Sequence, residues 1–203
     1  MNAEHLGDAL DHWKGAIIRQ LHTNDWLQEF AVEPMISDQQ PWDPQNIRVY
    51  RRLLGLHDNE PVFHTNAVFR HQTREAYFAE LTHRGDLFLD PDTGIATGAA
   101  DDAHITLEDI HSLFRGDYVI DRCLVVFQPA ARGFFSLRIK EITERVIAAE
   151  NNLDRDLYCC SYKCGRVAML FFSVNRGRLL KLPGIFDGFI GSGGSSKIRI
   201  WPP

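Results

Sequence analysis

Asp90 and Asp92 stand two residues apart in the stretch Gly85-Asp86-Leu87-Phe88-Leu89-Asp90-Pro91-Asp92-Thr93-Gly94. A short apolar run that ends in a carboxylate and meets a Pro/Gly turn places both acids at the carboxyl edge of a strand, where α/β sheets bind their ligands. Carboxylates at that spacing can share a hard cation such as Mg²⁺ with several waters retained, which is the chemistry of a metal-dependent phosphoesterase or nuclease. The same residues also suit a plain turn, because Asp, Pro and Gly are turn formers. His64, His71 and His83 flank the stretch and could supply a ligand or a general base. Cys160 and Cys164 have the spacing of half a zinc site, but no second Cys/His pair lies near them in sequence, and buried thiols in a hairpin explain them as well.

Phosphate recognition would draw on the arginines. Arg48, Arg51 and Arg52 fall within a turn and a half of a predicted helix, and Arg70 and Arg74 are four residues apart on the next. With Arg176, Arg178 and Lys181 they could form a phosphate-facing rim for nucleic acid. The alternative is solvated helix faces balanced by Glu60, Glu75 and Glu80. Gly191 to Ser196 could cradle a phosphate but lacks the lysine and following helix of a P-loop, so it reads as a linker.

The elements that must position these residues alternate in type. Leu10, Trp13, Ile17 and Leu21 recur at three- and four-residue steps and predict a helix over Asp8 to Thr23. Phe30 to Ile36 reads as a strand leading into a loop. Asp43, Pro44 and Gly55 punctuate a second helix as cap, first-turn residue and stop. Pro61 to Thr65 suits a short strand, Thr73 to Leu81 a helix, and Leu87 to Leu89 a strand. Thr106 and Asp109 form a capping-box pattern for a helix ending near Gly116. Arg122 to Gln128 is a buried-type strand, and Ser136 can cap a helix through Ile147 that leaves at Asn151-Asn152. Leu157 to Lys163 and Val167 to Val174 predict an antiparallel hairpin around Gly165. Residues 184–203 read as a flexible connector with one edge strand over Lys197 to Trp201. Strands alternating with helices predict an α/β fold: a Rossmann-like, mostly parallel sheet with helices on both faces and the hairpin at its end.

The 203 residues carry a net charge of −5, with 44% hydrophobic and 24% charged residues, which excludes collagen-like, coiled-coil and largely disordered chains. The length suits a single domain over 1–203. No apolar run approaches the roughly 18–20 residues of a membrane span, and Glu4, Asp8 and Asp11 replace the apolar core of a secretory signal. The expectation is a soluble cytoplasmic protein with reduced thiols and no membrane partner. Any nucleic-acid contact must come from a local basic face.

The order of elements, with an acidic turn after a middle strand and a terminal hairpin, resembles the class I S-adenosylmethionine-dependent methyltransferases. Leu87-Phe88-Leu89-Asp90-Pro91-Asp92 is similar to the amino-methyltransferase signature in which an apolar strand runs into D-P-P-Y. Asp11-His12-Trp13-Lys14, followed by Ile17, Ile18 and Leu21, resembles the D-x-x-K helix of the ribosomal RNA adenine-N6 methyltransferases. The resemblance implies that Phe30 to Asp38 holds the first cofactor strand and that Pro61 to Asn66 is a later cofactor-side strand. It further implies that Asp90 accepts the target amine, and that Asp11, Lys14 and Asp38 lie near an S-adenosylmethionine site. Two departures mark the cofactor motif as degenerate. The turn Glu33-Pro34-Met35-Ile36-Ser37-Asp38-Gln39 has no glycine, and Asp92-Thr93 replaces the proline and the aromatic ring that would stack on a flipped base. Asp90-x-Asp92-Thr93-Gly94 also resembles the nucleophile motif of haloacid-dehalogenase-type phosphatases, with Asp90 attacking phosphorus, Asp92 as acid and Lys140 in the lysine role. That motif normally opens its domain, whereas here a long segment precedes it. The third expectation is a non-catalytic binding module.

Overall fold

A computed structural model describes residues 1, 3–70, 73–114, 121–129, 135–151, 156–190 and 197–201. Helix α1, Ala9–Thr23, starts where the Asp8 carboxylate accepts the Leu10 and Asp11 amides, which satisfies donors that a helix start leaves unpaired. Its buried face carries Ile17, Ile18 and Leu21, as an amphipathic helix requires, but also Asp11, Lys14 and Gly15. Strand β1, Ala31–Glu33, is buried throughout. Helix α2, Pro44–Leu54, has the expected punctuation: Asp43 accepts the Asn46 amide at 2.8 Å, and Gly55 closes the helix at φ 72°. Helix α3, Arg74–Ala79, is shorter than its predicted span.

Strand β2, Leu87–Leu89, leads into the acidic turn. Gly94–Ile95 (β3) and His104–Ile105 (β4) then form a small parallel ladder that the turn residues concealed in sequence. Helix α4, Leu107–Phe114, is preceded by the reciprocal cap, with Asp109 accepting from the Thr106 amide at 2.7 Å and Thr106 Oγ1 accepting from the Asp109 amide at 3.3 Å. Strand β5, Cys123–Pro129, and the hairpin β6, Tyr158–Cys164, with β7, Val167–Ser173, follow as expected, whereas helix α5, Phe135–Asn151, begins before Ser136, which lies inside the helix and does not cap it. The stop at Gly116, the exit at Asn152 and the glycine-serine run 191–196 lie outside the described residues.

Two short helices, α6 (Arg176–Leu179) and α7 (Leu182–Ile190), precede the edge strand β8, Ile198–Trp201. The connector expected from residue 184 is therefore helical up to Ile190. Gly184 and Gly188 suggested a flexible chain, but Leu182, Ile185 and Phe186 share a helical face, and Phe186 stacks on Tyr162 with ring centroids 4.6 Å apart.

The main sheet has six strands in the order β1-β2-β5-β7-β6-β8. It is mixed, which corrects the mostly parallel expectation: β1–β2 and β2–β5 are parallel, whereas β5–β7, β7–β6 and β6–β8 are antiparallel. The cause is the hairpin, whose second strand inserts beside β5, so that each later addition also runs antiparallel. One face of the sheet packs on α3, α4 and α5 through Phe78, Ile110, Leu113, Ile142 and Val146. The other packs on α1, α2 and α7 through Ile17, Leu21, Tyr50, Leu54 and Phe186. Among the described residues no helix is long and apolar enough to cross a membrane.

Helices α1 and α2 cross closely at Gly15, where a Cβ atom would stand 1.9 Å from the Leu53 carbonyl oxygen. Gly15→Ala gains about 1 kcal/mol of helix propensity but must push the backbones apart, at about 1–3 kcal/mol for overpacking and more if the helices cannot separate. A net loss of stability in urea denaturation is expected. A stabilised variant would show that the crossing is looser than described.

Candidate functional site

Val32 bridges Val62 on one side and pairs with Phe88 on the other, both in parallel. The chain thus leaves β1 in one direction, then crosses back to form β2 on the opposite side. Such a reversal opens a crevice at the carboxyl ends of the strands. Glu33 at the end of β1 and Asp90 just beyond β2 flank it, and the Asp90 amide donates to the Glu33 carbonyl at 3.0 Å. Neither carboxylate has measurable exposure.

Asp90 is held by two helices. Lys14 of α1 lies 2.8 Å from its Oδ1 and donates to its Oδ2 at 3.0 Å, and Tyr50 of α2 donates to the same Oδ2 at 2.9 Å. Lys14 also donates to Asp11 Oδ1 at 3.0 Å and sits 4.3 Å from the Phe127 ring centroid. The second Asp11 oxygen accepts the Gly7 amide at 2.8 Å. Burial alone pulls the Lys14 pKa down, but Asp90 and Asp11 outweigh it and hold the ammonium above its ordinary value. Burial pushes the Asp90 carboxyl up against the opposing pull of Lys14. Burial, reinforced by Asp90, raises the Tyr50 phenol so far that it stays a neutral donor.

The Met1 amino group extends the cluster. It donates to the Met35 carbonyl and lies 3.3 Å from Asp92 Oδ1, while Ser37 donates to the other Asp92 oxygen. Asp38 accepts the Ala3 amide at 2.8 Å and the Trp42 indole at 2.9 Å. Asp11, Lys14, Asp38, Asp90 and Asp92, scattered over eighty positions in sequence, therefore gather at one end of the sheet. All of them but Asp38 line a cavity of about 70 Å³, whose wall also includes Met1 and Phe127.

Sequence reasoning missed Glu33 and Tyr50. Glu33 accepts the Met35 amide and His64 Nδ1, at 2.8 and 2.7 Å, and the Tyr77 hydroxyl. Burial lowers the His64 pKa, but the Glu33 hydrogen bond and charge outweigh it and raise the pKa. A lone acid in the apolar run Phe30 to Ile36 and a tyrosine in phase with Ile47 and Leu54 were the available signals.

The remaining expected residues are placed elsewhere. Arg51 donates to the Glu60 and His57 carbonyls, each at 2.7 Å, and Arg70 to the Asp38 carbonyl at 2.7 Å. Arg74 pairs with Asp109, and Arg178 is buried in an ion pair with Asp86. These four guanidinium groups fasten loops and helix ends; Arg70 precedes α3 instead of lying on it, and Arg48, Arg52, Arg176 and Lys181 are the exposed members of the expected rim. Lys140 stands on α5, paired with Glu144 at 3.7 Å. His83 meets the Glu29 carbonyl, and His71 lies outside the described residues. Cys123, Cys159 and Cys160 are buried free thiols, Cys164 is half-buried, and burial pushes Cys159 up to about 12.

Neither expected ligand has a ready place in the cavity at Asp90 itself. The cavity beside Asp90 accommodates a few waters, whereas pockets for drug-sized molecules and cofactors measure about 300–1,000 Å³. The turn after β1 that would have to approach a cofactor is filled by Met35, buried and at φ 48°. For Mg²⁺, Asp90 and Asp92 already face Lys14, the Met1 amino group and two hydroxyls. Neither the models of known protein families nor the curated proteins give a match to this chain.

Lys14→Met would leave Asp11 and Asp90 buried without their cation, which costs about 3–5 kcal/mol when one partner of a buried ion pair is removed. Adding Asp90→Asn to that variant is expected to restore part of the loss in denaturant titrations. Full retention of stability in Lys14→Met would contradict the described pairing.

Proposed function

We propose that the protein is a methyltransferase-like, Rossmann-type α/β protein, descended from proteins that act on nucleic acid, whose crevice at Asp90 to Gly94 has closed around an ion cluster. The observation that carries this reading is the contact of Lys14 with Asp90 at 2.8 Å. It joins the D-x-x-K helix to the strand that ends in Asp90, two segments whose resemblance to amino-methyltransferases was read independently in sequence. Their meeting at a topological switch point is what a shared site requires.

The same contact defines how the crevice departs from a transferring enzyme. Asp90 Oδ2 receives Lys14 and Tyr50, and Oδ1 stands at ion-pair distance from Lys14 with no aligned donor. One acceptor direction on a buried carboxylate is thus left for a small N–H donor, the chemistry that would orient an amine. The small volume beside it admits that group and not the nucleoside that would bear it. Asp11 and Lys14, expected near the cofactor end, pair with each other, and Asp38 accepts the Ala3 amide and the Trp42 indole. The nucleic-acid connection rests on the two motifs, with Arg48 and Arg52 left at the surface.

Isothermal titration with S-adenosylmethionine tests the reading. No saturable heat is expected up to millimolar concentration, and no methyl transfer to RNA or DNA. Saturable one-to-one binding that Asp90→Asn abolishes would show an open, cofactor-dependent site and overturn the closed-crevice account.

A further inference from the structure

At the opposite edge of the sheet, before the parallel strands begin, lies an open cavity of about 350 Å³ whose wall includes His22, Glu29, His57, Glu60 and His83. His22, His57 and Glu60 each turn one ligand atom toward a common point, all within 4.8 Å of one another. His22 Nε2 stands 3.3 Å from Glu60 Oε1, and His57 Nδ1 stands 3.8 Å from the same oxygen. A tetrahedral zinc ion bound at about 2.0–2.2 Å by nitrogen and oxygen ligands separates them by roughly 3.3 Å. The side chains are therefore within a small rotation of a coordinating arrangement.

We propose that His22, His57 and Glu60 form a binding site for a divalent transition metal, with Zn²⁺ as its probe and a further position open to water from the cavity. Two histidines and one carboxylate make up a three-ligand zinc set that leaves a position free. The Glu60 carboxylate is buried, and its surroundings include no Lys or Arg pairing with it among the described ion pairs. His22 Nε2 is also buried and lacks an aligned hydrogen bond. At 3.3 Å from the Glu60 carboxylate and with no aligned hydrogen bond, His22 Nε2 presents a lone pair that a cation between the two groups would engage.

The surrounding groups hold this geometry before metal arrives. Glu60 Oε2 accepts the His57 amide at 2.8 Å, which leaves Oε1 toward both rings. Arg51 grips the carbonyls of His57 and Glu60 and so fixes the loop that carries two of the three ligands. Phe30 packs edge-on against the His22 ring at 5.5 Å. Such outer contacts orient ligands, and their loss typically weakens metal binding about 10–100-fold. Arg51, one of the expected phosphate contacts, is here a positioning residue for the metal loop.

The test is calorimetric titration of chelator-dialysed protein with Zn²⁺, together with the visible spectrum of the Co²⁺ form. One equivalent is expected to bind, with the intense absorption of four-coordinate Co²⁺ and a raised unfolding temperature in Zn²⁺. His57 is exposed, so His57→Ala leaves the core intact and is expected to abolish the spectrum and the thermal shift. Glu60→Gln is expected to do the same, Arg51→Ala to weaken binding about 10–100-fold, and Cys164→Ser to leave it unchanged. Absence of saturable Zn²⁺ binding, or binding that survives both His57→Ala and Glu60→Gln, would overturn the assignment.

Discussion

Lys14 is buried between two carboxylates beside a cavity with room for only a few waters, and its charge there is balanced only while α1 and the end of β2 keep their distances. Removing an ammonium and two carboxylates from water costs several kcal/mol per ion, and attraction offsets this only with close contacts and further hydrogen bonds to the remaining oxygens. The Gly7 amide and the Tyr50 hydroxyl supply those bonds. Gly15 lets α2 approach α1 closely enough for Tyr50 to reach Asp90, and the reversal between β1 and β2 sets Asp90 where both helices converge. The cluster therefore couples local helix geometry to sheet topology at the position where α/β proteins place ligands.

The two edges of the parallel strands have been used differently. At the carboxyl edge, charged groups satisfy one another and leave a volume for a few waters. At the amino edge, His22, His57 and Glu60 face an open cavity with their ligand atoms incompletely satisfied. The arginines follow the same economy: Arg51, Arg70, Arg74 and Arg178 stabilise loops and ion pairs inside the protein. Arg48, Arg52, Arg176 and Lys181 are left at the surface.

Much of this was legible in sequence wherever the signal is local. Caps at Asp43 and Thr106, the Gly55 stop and the Gly165 turn depend on residues a few positions apart, and each stands where it was expected. The placing of Asp90 and Asp92 at one strand end was legible too, from the apolar run and the turn that follows it. Strand direction was not, because an apolar run reads the same either way, and the hairpin adds three antiparallel pairings, β5–β7, β7–β6 and β6–β8, to the two parallel ones. The helix α7 was hidden by Gly184 and Gly188, whose low propensity is overridden by the burial of Leu182 and Phe186. The His22, His57 and Glu60 group joins the end of α1 to a loop some 35 residues later, and no spacing rule relates them.

The protonation of Lys14 tests the ion cluster most directly. A group whose pKa is raised on folding stabilises the protein below its unfolded value, and that stability is lost as pH rises through the folded value. For Lys14 this places the loss above 10.5, the ordinary lysine value. Nuclear magnetic resonance titration of the labelled Lys14 side chain is expected to show the ammonium persisting beyond that value and shifting down in Asp90→Asn. A Lys14 that releases its proton at or below the ordinary value, unaffected by Asp90→Asn, would contradict the account.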